Sequence, residues 1–268
     1  MSQIFYDSTD SSHMVDAHVA RKTVYSDSGR NQDVPRRGWL MRMKWHDLLF
    51  MHWKVDSEAL RRLIPEPLEV DTFDGDAWIG LVPFRMSGVS PRFVPDMPWM
   101  SRFPELNVRT YVTIDGKPGV WFFSLDATNP LAVRGARSLF HLKYMDAKID
   151  FQRHENWIRY SSVRTHRGEP SAELNVEYRP IGQEFNATPG TLEYWLTSRY
   201  CLYAANKSGQ VFRGEIDHPE WKLREAQAIV HANTMTNGLG LDLPDEEPVL
   251  HFASRTDVVA WGLERVGR

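Results

Sequence analysis

Glu105-Leu106-Asn107-Val108-Arg109-Thr110-Tyr111-Val112-Thr113-Ile114 runs directly into Asp115-Gly116-Lys117-Pro118-Gly119. In the first stretch the even positions Leu106, Val108, Val112 and Ile114 are apolar, with Thr110 among them. The odd positions Glu105, Asn107, Arg109, Tyr111 and Thr113 are polar or amphipathic. A period of two belongs to a β-strand, whose successive side chains point to opposite faces. Asp115-Gly116 supplies turn residues, and the segment after Gly119 continues in β-formers, so the pair predicts a hairpin. The odd face has two readings. It meets water, or it lines the interior of a curled sheet, with Glu105, Asn107 and Arg109 inward and the apolar face packed outside.

Similar signals recur outward from this hairpin. Residues 78–89, 148–160, 171–178 and 210–216 are rich in β-formers or alternate, and turn residues such as Asp74-Gly75 and Lys207-Ser208-Gly209 separate several of them. Helical patterns are few: 56–63, which opens on capping residues and stops before Pro65, and 191–205, which follows Pro189-Gly190. The expectation is a mainly β protein, a curled or closed antiparallel β-barrel with a few helices. Residues 1–35 are rich in Ser, Asp and Arg without a sustained period and read as a flexible or loosely docked extension. Residues 36–268 read as one domain.

Composition narrows the function. The 268 residues are 42% hydrophobic and 25% charged with a net charge of −3, which is globular and offers no basic footprint for nucleic acid. No apolar run reaches membrane-span length and no secretory core is present at the N-terminus, so a cytoplasmic protein with no membrane partner is expected. Cys201 is the single cysteine, and the ten histidines form no metal-spaced cluster. A glycine-rich phosphate loop, a Gly-x-Ser-x-Gly elbow and a His-Glu-x-x-His motif are all missing. The expectation is therefore no cofactor, no metal, and a small-molecule ligand or substrate as partner. Assembly into a homo-oligomer is compatible with all of this.

Several long blocks carry a family resemblance. They are Leu49-Phe50-Met51-His52-Trp53-Lys54-Val55, the stretch from Leu60-Arg-Arg-Leu-Ile-Pro-Glu-Pro to Phe84, Phe103-Pro-Glu-Leu-Asn-Val-Arg-Thr-Tyr-Val112, and Asp217-His-Pro-Glu-Trp-Lys-Leu-Arg-Glu-Ala226. Together they resemble the DUF2071, or YqjF-like, family of uncharacterised bacterial proteins. The resemblance implies an acetoacetate decarboxylase-like fold, a curled antiparallel β-barrel around a ligand-sized cavity, and no established activity.

A second resemblance is to the acetoacetate decarboxylases themselves. Gly135-Ala-Arg-Ser-Leu-Phe-His-Leu-Lys143-Tyr144 lies without gaps over the stretch that carries their Schiff-base lysine. It implies Lys143 as the catalytic nucleophile and Glu105 as the cavity carboxylate. Their second lysine is Tyr144 here, and the residue before the nucleophile is Leu142 instead of proline.

Such a lysine must be a free amine at working pH, whereas its ordinary pKa is about 10.4. Desolvation or a nearby cation must lower it. Arg137 and His141 stand at two-residue steps from Lys143, and Arg109 could add charge from a facing strand. Arg109, Arg137, His141 and Tyr111 are accordingly expected to contact the substrate. A buried cation is costly unless paired, so Glu105 is expected within salt-bridge reach of Arg109, Arg137 or Lys143. Three functions fit: a lyase-type enzyme on a small carbonyl or carboxylate substrate through Lys143, a non-catalytic binder of a small molecule or lipid-like ligand, and an enzyme using Glu105 as acid or base.

Overall fold

In a computed structural model, residues 34–94, 101–129 and 140–267 are described. The extension expected over residues 1–35 lies almost wholly outside them. The strands are β1 (Met41–Val55), β2 (Glu69–Val70), β3 (Ala77–Pro91), β4 (Phe103–Ile114), β5 (Lys117–Ala127), β6 (Tyr144–His154), β7 (Trp157–Arg164), β8 (Glu173–Phe185), β9 (Cys201–Ala205), β10 (Val211–Asp217), β11 (Leu223–Asn233), β12 (Val249–Ala260) and β13 (Glu264–Arg265). All thirteen belong to one sheet in the order β13-β10-β9-β5-β6-β7-β8-β11-β12-β1-β3-β4-β2. Pairing of β4 with β5, which stand far apart in that order, shows how strongly the sheet curls. The mainly β, curled architecture is as the sequence predicts. β5 runs parallel to β6 and β9, while the other strand pairs are antiparallel.

The hairpin at Asp115-Gly116 forms, with Ile114 opposite Lys117 and Glu105 opposite Ala127. Asp115 and Gly116 take φ of 52° and 70°, the left-handed values that a tight hairpin turn requires. Two α-helices lying wholly within the described residues accompany the sheet. Helix α1 (Ser57–Arg61) is capped by Asp56, whose Oδ1 accepts from Ala59 N at 2.6 Å. Helix α2 (Leu192–Thr197) starts on Thr191 and ends far short of the predicted 205. Its predicted C-terminal part is β9 instead. Cys201 and Tyr203 are drawn over Gly119 of β5, where a Cβ would stand 2.7 Å from each, so a bare backbone admits them. Sheet pairing here outweighs a helix-like apolar spacing. The single strand predicted over 148–160 is a hairpin, since Glu155 turns the chain at φ 55° between β6 and β7.

The two faces of β4 enter different cores. Leu106, Val108, Val112 and Ile114 join the largest cluster with Leu49, Met51, Leu81 and the tyrosines Tyr160, Tyr178 and Tyr203. The hydroxyls of these tyrosines donate to the carbonyls of Glu105, Asp47 and Lys117 at 2.8 Å each, which satisfies both partners in an apolar setting. Thr110 fits the apolar face because its hydroxyl donates to Trp78 O at 2.7 Å. On the odd face Tyr111 packs with Trp78, Val120 and Leu196 of α2. Phe50, Val82, Leu125, Tyr144 and Trp221 form a third cluster. The odd face is therefore enclosed, and the reading in which it meets water is set aside.

Candidate functional site

Period-two alternation puts Glu105, Asn107, Arg109 and Tyr111 side by side on the odd face of β4. A cross-strand row fixes the middle of the site. Val249 of β12 pairs with His52 of β1, His52 with Gly80 of β3, Gly80 with Arg109, and Arg109 with Phe122 of β5. Gly80 lets the two flanking side chains close over it: a Cβ there would stand 2.8 Å from His52 Cδ2 and 2.9 Å from its Nε2.

At this end, Tyr111 gathers three groups. Its hydroxyl donates to Leu196 O at 2.8 Å, meets His52 Nε2 at 2.7 Å and accepts from Arg109 Nη2 at 3.3 Å. Arg109 also donates to Leu196 O at 3.2 Å and lies over the Phe50 ring, 5.5 Å from its centroid. Half-buried Arg109 has no carboxylate partner among the described residues, and its Nε hydrogen finds no acceptor. The second guanidinium nearby is neutralised: Arg199 Nη1 donates to Asp71 Oδ2 at 2.6 Å. Among the described residues one positive charge therefore stands uncompensated here. His52 is fully buried, and its pKa is held well below the ordinary value by desolvation first, then by Arg109 and His251. Its Nδ1 has no partner among the described residues.

At the other end is Glu105, 2% exposed. Burial pushes its pKa up to about 8, against hydrogen bonds from Tyr144 and Asn107 that favour the carboxylate; the charge of Asp126 pushes in the same direction as burial. At pH 7 the carboxyl is mostly protonated. Its Oε2 and Asn107 Oδ1 lack partners among the described residues. Asp126 itself is paired, taking two hydrogen bonds from Arg164 at 2.9 Å.

Of the residues expected from sequence, Glu105, Arg109 and Tyr111 share one face of β4; Arg109 and Tyr111 meet there, while Glu105 stands at its other end. The expected ion pair from Glu105 to Arg109 or Lys143 does not form. A carboxyl that keeps its proton in a desolvated site has no charge to pair, and Tyr144 and Asn107 bond it instead. Lys143 lies just before β6 and is exposed, its ammonium 5.7 Å from the centroid of the Trp121 ring. The ammonium leans onto protein, so burial lowers its pKa while Glu169 opposes that shift. Trp121 packs in the core of the even face. Tyr144, which stands at the second-lysine position of the decarboxylase motif, is the neighbour that reaches Glu105. His141 has φ 51°, lies outside the strands and packs on Phe212 of β10 at 4.9 Å, so a strand period does not carry it to Lys143's face. Arg137 lies outside the described residues.

Sequence reasoning missed His52, Tyr144 and Gly80 as site residues. His52 was present in the alternation Leu48-Phe50-His52 against Leu49-Met51-Trp53, which is hidden because both faces of β1 are buried. An open cleft of about 690 Å³ lies elsewhere, between Trp53, β11 and the acidic segment Asp242 to Glu247, and contains none of the expected residues. Among the described residues no three His, Cys, Asp or Glu converge as a metal group, and no helix is long and apolar enough to cross a membrane.

Comparison with known proteins agrees with this architecture. The model of the DUF2071 family, described as an uncharacterized conserved protein, matches residues 42–257. The uncharacterized protein YqjF of Bacillus subtilis (strain 168) is 43% identical over 236 residues, which is 88% of this chain and 96% of that one. Among solved structures, the acetoacetate decarboxylase of Legionella pneumophila superposes with a TM-score of 0.62 at 13% identity, covering 91% of this chain and 95% of that one. The enduracididine biosynthesis enzyme MppR complexed with pyruvate gives 0.59 at 10% identity, covering 88% and 93%. An acetoacetate decarboxylase-like enzyme of Sphingomonas wittichii gives 0.57 at 12%, covering 86% and 94%. At these identities the structural likeness is one of fold.

Proposed function

The chain belongs to the DUF2071 family, and on that footing we propose that it binds a small carboxylate or carbonyl compound on the enclosed odd face of β4. One observation carries the reading: Arg109 presents a half-buried positive charge without a carboxylate partner among the described residues, on the strand face it shares with the protonated Glu105. An uncompensated guanidinium in such a setting favours an organic anion, which supplies the missing charge and can meet the free Nε hydrogen. Glu105 then acts as a neutral donor or a proton reservoir toward a carbonyl oxygen. Phe50, Trp195 and Trp221 provide apolar surface between and around these groups. The same fold in MppR holds pyruvate, a compound of this class.

The test is calorimetric titration with acetate, propionate, pyruvate and acetoacetate at pH 6.5, in wild type and Arg109→Met. Binding by wild type that the variant loses supports the reading. An absence of binding by any of the four, or equal binding by the variant, removes it.

A second reading keeps a lyase-type step through Lys143. Its support is the lowered pKa of an ammonium held against Trp121. Borohydride reduction in the presence of acetoacetate or pyruvate, followed by mass spectrometry, would leave an adduct on Lys143 under this reading and none under the non-covalent one. Assembly of copies and a cytoplasmic location are part of the same proposal.

A further inference from the structure

The hydrogen bonds around Tyr111 fix the proton on His52. A phenol has one hydrogen to give. Leu196 O, 2.8 Å away, is a carbonyl and can only accept. Were the phenol hydrogen given to His52 Nε2 instead, two oxygens would face each other at 2.8 Å with no hydrogen between them, a repulsive contact. The hydrogen therefore goes to Leu196 O. His52 Nε2 must then donate to the phenol oxygen at 2.7 Å, alongside Arg109 Nη2 at 3.3 Å. Every contact at Tyr111 is satisfied in this arrangement. It makes His52 the neutral Nε2–H form, with a bare lone pair on Nδ1.

That lone pair is buried and has no donor among the described residues. The Cδ2–Nε2 edge of the ring lies against Gly80, so Nδ1 stands on the edge of the ring away from that backbone. The ring itself is stacked parallel to Phe50, with an interplanar angle of 10°. Leaving a buried acceptor without a donor costs its full desolvation, and such a group in a native site calls for a partner. A cationic donor is disfavoured there, since Arg109 and neighbouring His251 already oppose positive charge on the ring. What suits the position is a neutral donor, an O–H of a bound ligand or of a buried water that the ligand displaces.

We propose that the ligand of this face carries a hydroxyl that donates to His52 Nδ1, which makes it a hydroxylated carboxylate in which Arg109 takes the acid group. This rests on the reading of the preceding section. A site built to bond a hydroxyl discriminates strongly against the analogue that lacks it, because the acceptor is then left bare.

The experiment uses the full chain labelled with ¹⁵N-histidine and two pairs of probes, lactate against propionate and 3-hydroxybutyrate against butyrate. Long-range ¹H–¹⁵N spectra at pH 7 are expected to show His52 protonated on Nε2. Addition of a hydroxy acid should move the Nδ1 resonance, and its plain partner should not. The hydroxy acid of at least one pair should bind about tenfold or more tightly than its partner, and this preference should vanish in His52→Phe. Should that variant fail to fold, the wild-type spectra decide. An Nδ1–H tautomer in the free protein, or equal affinities with Nδ1 unmoved, overturns the inference and leaves the carboxylate-binding reading standing. If neither member of either pair binds, that reading falls and this inference with it.

Discussion

The imidazole of His52 lies across the backbone of Gly80 at a separation no side chain could share, with Nε2 only 2.9 Å from where a Cβ would be. Their Cα atoms are register partners between β1 and β3, so neither strand can move aside without breaking the ladder. Gly80→Ala must then displace the imidazole and its bond to Tyr111. The expected cost is about 1–3 kcal/mol of stability, as for other overpacked sites. Urea unfolding measures it, and wild-type stability in the variant would mean the ring has room to slide.

Glu105 makes stability depend on pH in a stated direction. Its pKa rises from the ordinary 4.5 to about 8 on folding, chiefly through burial, so between these values the folded protein holds a proton that the unfolded chain has lost. Stability therefore falls as pH rises from about 4.5 to about 8 and is level above, by a total on the order of 5 kcal/mol. Glu105→Gln should flatten this slope and be relatively more stable at pH 8 than at pH 5. Denaturant curves at pH 5, 6.5 and 8 decide the matter, since parallel slopes in the two proteins would assign the dependence elsewhere.

Arg109 depresses the pKa of His52 across the row they share. Arg109→Met should raise that pKa, visible as an upward shift of the His52 midpoint in an NMR titration. The same variant should lose organic-anion binding by about tenfold or more, the effect of a charged hydrogen-bonding partner worth 1.5–3 kcal/mol.

Lys143 is exposed and makes no ion pair with Glu105. Lys143→Met should change stability by no more than about 0.5 kcal/mol. A larger loss in thermal unfolding would give the ammonium–Trp121 contact a structural importance that its exposure does not suggest.

The domain assignment is tested by removing Met1 to Asp33. One sheet contains every strand of the described residues, so the shortened chain should remain soluble and unfold in a single cooperative transition. Loss of soluble protein would mean that the extension contributes to the core.

The hairpin β4–β5 was legible because one of its strands alternates cleanly and its turn carries Asp-Gly. The grouping of Glu105, Arg109 and Tyr111 followed from the same parity. β1 was not legible: residues 47–53 are all buried, and a strand covered on both faces loses the polar half of its pattern. α2 was overextended because Tyr200, Cys201 and Tyr203 are apolar at a spacing that helix and strand both accommodate, and only the approach to Gly119 settles it. Tyr144 and Lys143 are adjacent in sequence, and assigning the Glu105 contact to one of them required knowing where β6 begins. The role of His52 depended on a carbonyl in α2, some 140 residues away, which no local pattern encodes.

β5 and β6 meet through three register pairs, Leu125 with Tyr144, Asp126 with Met145 and Ala127 with Asp146, whereas β6 and β7 share eight. This short parallel seam runs beside Glu105, whose own register partner is Ala127 and whose hydrogen-bond donor is Tyr144. Short seams are the first to open in local fluctuations. A carboxyl sealed from water can exchange its hydrogen only when such an opening admits a carrier. The protonation of Glu105 should then answer to kinetics as well as equilibrium: after a jump in pH its response is expected to lag, with the opening of this three-pair seam as the limiting step.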